Sequence, residues 1–369
     1  MKRDDTTCIF GLDLFGVMAI SLVLLAQCIW IFPQSSALIS QLASLFHFIG
    51  IEILLVLAGF LMGTMAYKQF LNDNFGWPIV WIFLKNQVFT ILVLYFFALL
   101  SNVLIAVGIG YPIEKVWRYL FFLQNLASEM PAFFPESWVL PVIIFAMILF
   151  LSLLLVLHVF LRDQNKSKIY LGLILLLIVL CMVLKWFYNL TIGESDMKQW
   201  DRELKSVVIY RMDSVFIGML SSWMLYHFKL FFARFKIIFA FFGLVGIVFI
   251  FIGVGYFQLT IEHYKLFWNV LYLPMVSLFL VFFLPFLSQW RKVSRLLSRP
   301  MAAIVKISPA IYLFHFSVVL QLLRYWLLDF FTTPKQLVGF CTIYLILVLM
   351  IGTLTRYCTG RILRRQSCL

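Results

Sequence analysis

Ten apolar runs punctuate the chain, each long enough to cross a lipid bilayer as a helix, and that repetition leaves few folds open. A spanning helix needs roughly 20 mostly apolar residues. The runs fall at 9–32, 45–67, 79–108, 138–161, 168–190, 207–226, 237–256, 266–288, 302–327 and 337–358. A backbone inside hydrocarbon must satisfy its own hydrogen bonds, which a helix does within one segment. Composition agrees, with 64% of the 369 residues hydrophobic and only 12% charged, a balance that soluble domains do not show. The expectation is an all-α fold, a polytopic membrane bundle of about ten transmembrane helices. No polar segment is long enough to fold alone, so residues 1–369 read as a single membrane domain with its core at about 9–358. The first run lacks a small-residue cleavage site and reads as an uncleaved anchor.

Charge sets the orientation. Lys2, Arg3, Arg162, Lys166, Lys168, Arg234, Lys236, Arg291, Lys292, Arg295, Arg299 and the tail Arg361, Arg364 and Arg365 fall on one side. Glu114, Glu129, Glu136, Glu194, Asp196, Asp201, Glu203 and Glu262 fall on the other. Basic residues favour the cytoplasmic face, so both termini are expected there, in a plasma (inner) membrane. The net charge of +13 then reflects this bias together with attraction to anionic membrane lipid. The basic residues are scattered over short loops and gather on no one face, which argues against nucleic acid as a partner. Cys8, Cys28, Cys181, Cys341, Cys358 and Cys368 show no C-x-x-C spacing, so neither a disulfide framework nor a metal site is expected.

The polar residues inside the runs carry the functional signal. Arg211 and Asp213 sit in the stretch Val208-Ile209-Tyr210-Arg211-Met212-Asp213-Ser214. A charge at the centre of a membrane helix costs about 2.5–3.5 kcal/mol on insertion scales and normally faces a protein-lined cavity. Two residues apart, the pair cannot meet on one helix face, so each needs a partner on another span, Glu52 being a candidate for Arg211. Ser308, Tyr312 and His315 lie at i, i+4 and i+7 and form one polar stripe. Gly16 and Gln27, eleven apart, share a face, with Asp13 one turn below. His47 is expected near Gln27, and Gly59-x-x-x-Gly63 offers a seam for close helix contact. The connection 111–137 carries Trp117, Tyr119, Phe133 and Phe134 and could roof a cavity. No phosphate-binding loop, G-x-S-x-G or H-E-x-x-H motif is present.

Taken in order, five segments resemble the acyltransferase-3 family of multi-pass bacterial membrane O-acyltransferases. Gly11-Leu12-Asp13-Leu14 resembles the start of its first helix. Gly50-Ile51-Glu52 through Gly59-Phe60-Leu61 resembles its second, with Glu52 in the acidic slot. Leu123-Gln124-Asn125-Leu126 and Ser137-Trp138-Val139-Leu140 resemble its outer-loop signature. Tyr210-Arg211-Met212-Asp213-Ser214, with Gly218 beyond, is similar to its arginine-x-aspartate helix, and Ile307-Ser308-Pro309 through Tyr312 and His315 to its late serine-tyrosine-histidine motif.

The resemblance implies an acyl-CoA donor, acetyl-CoA foremost, and a carbohydrate or lipid-linked sugar of the cell envelope as acceptor. The candidate catalytic residues are His315, Arg211, Asp213 and Glu52: Arg211 can still play an electrostatic role, and His315, or alternatively His47, would supply a base, neither of them at the family's histidine position. Ser308, Tyr312, Trp138, Gln27, Asp13 and Lys85 become candidate substrate-binding residues, with no metal. The departures are specific. The family's first-helix arginine and histidine stand here as Gly16 and Gln27, and glutamine cannot act as a general base. Its basic cluster on the third helix is reduced to Lys85, with Asn86, Gln87 and Thr90 beside it, and its glutamate after the serine-tryptophan pair is Ile143. Two further readings stay open. One is a non-catalytic relative that binds an acyl donor or lipid-linked sugar. The other is a transporter, although Pro274, Pro285 and Pro309 form no symmetric pair of helix breaks.

Overall fold

The computed structural model describes residues 9–32, 37–113, 115–161, 164–192, 196–291 and 293–366, with the backbone alone at 37, 38, 90 and 359–366. Lys2, Arg3, Cys8, Glu114, Arg162, Glu194, Lys292 and Cys368, and the side chains of Thr90, Arg361, Arg364 and Arg365, lie outside the described residues. All ten apolar runs are helical. They form α1 (Phe10–Ile31), α2 (Ala37–Phe70), α3 (Trp77–Ile109), α4 (Val139–Phe160) and α5 (Lys166–Thr191). Then come α6 (Val208–His227), α7 (Lys229–Gly255), α8 (Phe267–Leu287), α9 (Arg295–Phe330) and α10 (Pro334–Gln366). Among the described residues nine of these are long and apolar enough to cross a membrane, so the chain is a multi-pass membrane protein. The difference from the expected ten is α6, which has the length at 20 residues but carries Arg211 and Asp213 and is more polar.

Local chemistry sets the helix ends. Pro78 occupies the first turn of α3, where its missing N–H costs nothing, and Gly110 closes that helix with φ 76° and its N–H on Ala106 O. Asn165 caps α5, its Oδ1 accepting from Ser167 N at 2.9 Å and Lys168 N at 3.4 Å. Inside α9, Pro309 withholds the N–H that would serve the Val305 carbonyl. The Ser308 hydroxyl fills that gap by donating to Val305 O at 2.9 Å.

Consecutive helices alternate in direction. One end of the bundle, called here the loop end, therefore collects the connections 110–138, 192–207, 256–266 and 331–333. The more polar α6 is wrapped by apolar ones, packing chiefly on α2 and α5 and also on α4 and α8. Lipid tails are as apolar as leucine, so close backbone packing, not expulsion of water, holds such helices together. Glycine allows it at the α2–α6 crossing. A Cβ on Gly59 would sit 2.1 Å from Val215 O, and one on Gly218 would sit 2.3 Å from Val56 O. That contact fixes how α6 presents its two charges to its neighbours.

Candidate active site

Arg211 is fully buried on the first turn of α6, and its guanidinium donates through Nη2 to Glu52 of α2 and through Nη1 to Ser214 Oγ at 3.0 Å. Ser277 of α8 closes the group, donating to the other Glu52 oxygen and lying 3.0 Å from Ser214 Oγ. The indole of Trp138 covers the guanidinium, with Cζ 5.7 Å from the ring centre. Three helices and the start of a fourth thus hold one positive charge in place, and only its Nε has no partner.

Asp213 turns the other way. It pairs with Lys185 of α5, both side chains being fully buried, while its Oδ1 stays unpartnered. The two-residue spacing on α6 sends the charges to different neighbours, as helix geometry demands.

The loop between α3 and α4 docks α6 by its backbone. Asn125 O accepts from Val208 N at 2.9 Å and Leu126 O from Ile209 N at 3.3 Å, satisfying N–H groups that a helix start leaves free. Asn125 Nδ2 in turn donates to Ser206 O at 2.6 Å and to Trp138 O at 3.3 Å. Gln124 Nε2 donates to Ser137 Oγ at 3.3 Å. These contacts place the short turn Pro135–Trp138 between two centres. Trp138 faces Arg211, and Glu136 accepts from Ser317 N at 2.8 Å and from Ser317 Oγ.

Ser317 lies in a wide π-helical segment, His315–Leu320, that begins at the histidine. Such segments are often found at functional sites. His315 Nδ1 sits 2.7 Å from Tyr312 O. A carbonyl can only accept, so Nδ1 carries the proton and Nε2 of the neutral ring keeps its lone pair. That Nε2 is buried and unpartnered, as are Tyr312 OH, Gln27 Oε1 and His47 Nδ1. His47 is half-buried, its ring 5.3 Å from Trp30, within electrostatic reach of His315 and Lys205. A buried polar atom without a partner costs about 1–3 kcal/mol. Four such atoms lie on α1, α2 and α9.

Of the residues singled out from sequence, Arg211, Glu52 and Trp138 come together, and Asp213 stands behind them with Lys185. Tyr312, His315 and Gln27 are each buried with an unpartnered polar atom. Three stand apart. Ser308 commits its proton to Val305 O. Asp13 is half-buried near the opposite end of α1, within electrostatic reach of Lys306, and Lys85 is exposed. Glu136, expected among the acids of the outer side, is only 7% exposed and is held by Ser317. Lys185, Ser214 and Ser277 were missed. For Lys185 the signal was present, a cation inside the apolar run of α5. A Cβ on Gly16 would lie 3.3 Å from Val305 Cγ2 and 3.6 Å from Leu57 Cδ2, so that slot is walled by apolar side chains. Among the described residues no group of His, Cys, Asp and Glu is placed to hold a metal ion.

A multi-pass helical bundle with buried ion pairs and an oriented imidazole defines a membrane-embedded class of protein. The sequence profile of the acyltransferase-3 family, an acyltransferase domain, matches residues 9–355, and the chain belongs to that family. No curated protein and no solved structure matches it.

Proposed function

We propose that the chain is a membrane O-acyltransferase that moves an acyl group, acetyl in the simplest case, from acyl-CoA to a hydroxyl of a cell-envelope carbohydrate or lipid-linked sugar. In this reading the loop end faces outward and both termini lie in the cytoplasm of a plasma (inner) membrane. The observation that carries the proposal is His315, whose Nδ1 is tied to Tyr312 O at 2.7 Å while Nε2 is buried and unpartnered. An imidazole fixed in one tautomer by a backbone carbonyl is suited to take a hydroxyl proton through its other nitrogen.

His315 Nε2 accepts the acceptor proton, and the freed oxygen attacks the thioester carbonyl. The fixed charge of Arg211, braced by Glu52, Ser214 and Ser277, favours the oxyanion that forms; its collapse breaks the C–S bond and releases CoA, whose thiolate takes the proton held by His315. Asp213 and Lys185 neutralise each other and keep α6 in register. Gln27, Tyr312 and Trp138 contact substrate; Asp13 and Lys85, nearer the opposite end, serve the donor.

The test is protein in proteoliposomes, given isotope-labelled acetyl-CoA and envelope glycans, with products read by mass spectrometry. Labelled ester on glycan, lowered about 10²–10⁴-fold in His315→Gln, supports the reading, since a general base contributes that much. Turnover unchanged in His315→Gln refutes the assigned base. The apolar wall around Gly16 favours a second reading, a relative that binds donor or lipid-linked sugar without chemistry. Saturable binding with no labelled ester selects it.

A further inference from the structure

Cys28 and Cys341 lie 313 residues apart in the chain, yet meet between α1 and α10 toward the loop end. The encounter has a local cause. α1 ends with Phe32 N–H bonded to Ile29 O at 3.1 Å, so it does not serve the Cys28 carbonyl, and Pro33 has no N–H to offer. The Cys341 thiol takes up that released acceptor, with Sγ 3.7 Å from Cys28 O. α1 and α10 pack directly on each other there.

The other described cysteines differ. Cys181 is buried on α5 and Cys358 is exposed on α10. Cys28 is half-buried and Cys341 is 8% exposed, so a small lipid-soluble oxidant can approach the pair from the side of α1. Gln27, with its unpartnered Oε1, is the residue next to Cys28.

We propose that Cys28 and Cys341 form a reversible disulfide that staples the first helix to the last, beside Gln27. The oxidant is a hydroperoxide. One sulfur attacks the outer peroxide oxygen and the alkoxide leaves, taking up the thiol proton as alcohol. The second thiol then displaces water from the resulting sulfenic acid. Two thiols and one hydroperoxide give one disulfide, one alcohol and one water. A dithiol reductant reverses the bond by thiol exchange. Sequence spacing cannot reveal such a pair, because the two half-sites lie on the first and last spans.

The experiment treats the full chain in lipid nanodiscs with tert-butyl hydroperoxide, then alkylates all remaining thiols in SDS and maps peptides without reduction. The expected result is one cross-linked peptide pair holding Cys28 and Cys341, with both protected from alkylation and both regained after dithiothreitol. Cys28→Ser and Cys341→Ser each abolish the pair, while the remaining cysteines label as before. Full alkylation of Cys28 and Cys341 after peroxide overturns the proposal, and so does a cross-link from either one to Cys358. Because the readout on the unaltered chain is sufficient, a variant that fails to fold leaves the answer intact.

Discussion

Removing the carboxylate of Glu52 should expose how much the buried charge group contributes to the fold. Both partners of the Glu52–Arg211 pair are fully buried, so Arg211 has no water to turn to. Breaking a buried pair from one side generally costs about 3–5 kcal/mol, because a charge is left uncompensated. Here Arg211 keeps Ser214 at 3.0 Å and the face of Trp138 at 5.7 Å, and a desolvated cation–π contact is worth about 2 kcal/mol. Glu52→Gln, which retains the shape and an acceptor oxygen, should therefore fall at the low end, about 3 kcal/mol. That is a shift of about 10²-fold in the folding equilibrium. The double change Glu52→Leu with Arg211→Met removes both charges and should lose far less than the two single changes together, since apolar replacement of a whole pair is often neutral. The assay is equilibrium unfolding in mixed SDS and dodecylmaltoside micelles, followed by tryptophan fluorescence. A loss below about 1 kcal/mol for Glu52→Gln, or single effects that simply add, refutes the reasoning. Either result means that Arg211 is solvated or held elsewhere.

Other consequences can be measured alongside. Gly218→Ala puts a methyl 2.3 Å from Val56 O and should cost about 1–3 kcal/mol, as overpacking does; Gly172→Ala, with nothing within 4 Å, is the control that should cost nothing in the same unfolding assay. Asn125→Ala loses donors to Ser206 O and Trp138 O and should lower stability by about 1–3 kcal/mol for the unsatisfied carbonyls. It should also make the 111–137 segment easier to cleave with a protease added to the loop end. Gln27→His should raise labelled-ester formation, because it adds an imidazole beside groups already buried. Gly16→Arg should instead lower the thermal midpoint, since Val305 and Leu57 line that slot and a charge among apolar groups costs about 2.5–3.5 kcal/mol.

Much of the architecture was open to reading because lipid imposes a single rule. All ten apolar runs became helices, and every boundary that moved by more than two residues did so outward. α2 starts at Ala37, where the apolar run suggested 45, and α9 starts at Arg295, not 302. Helical hydrogen bonding continues past the hydrocarbon edge, so apolarity underestimates length. Arg211, Asp213 and Glu52 stood out for the same reason: an ionic group in an apolar run has to be accounted for. Lys185 obeyed that rule and was overlooked. Glu136 could not be found this way, because it borders a span and is drawn inward by Ser317, 181 residues later. Ser214 and Ser277 matter only through Glu52 and Arg211, and serine in a membrane helix more often bonds its own backbone. Ser308 shows how a neighbouring residue redirects a polar group. Its spacing to Tyr312 and His315 was right, but the proline beside it claimed its hydroxyl.

The order of the charges along the chain bears on how the protein is made. Helices enter the bilayer in sequence as the ribosome delivers them, and α6 is the span least able to enter on its own greasiness. Glu52 and Lys185, which answer Arg211 and Asp213, both belong to spans synthesised earlier. When α6 emerges, its counter-ions already wait in the lipid, so its entry is an act of assembly as much as of partition.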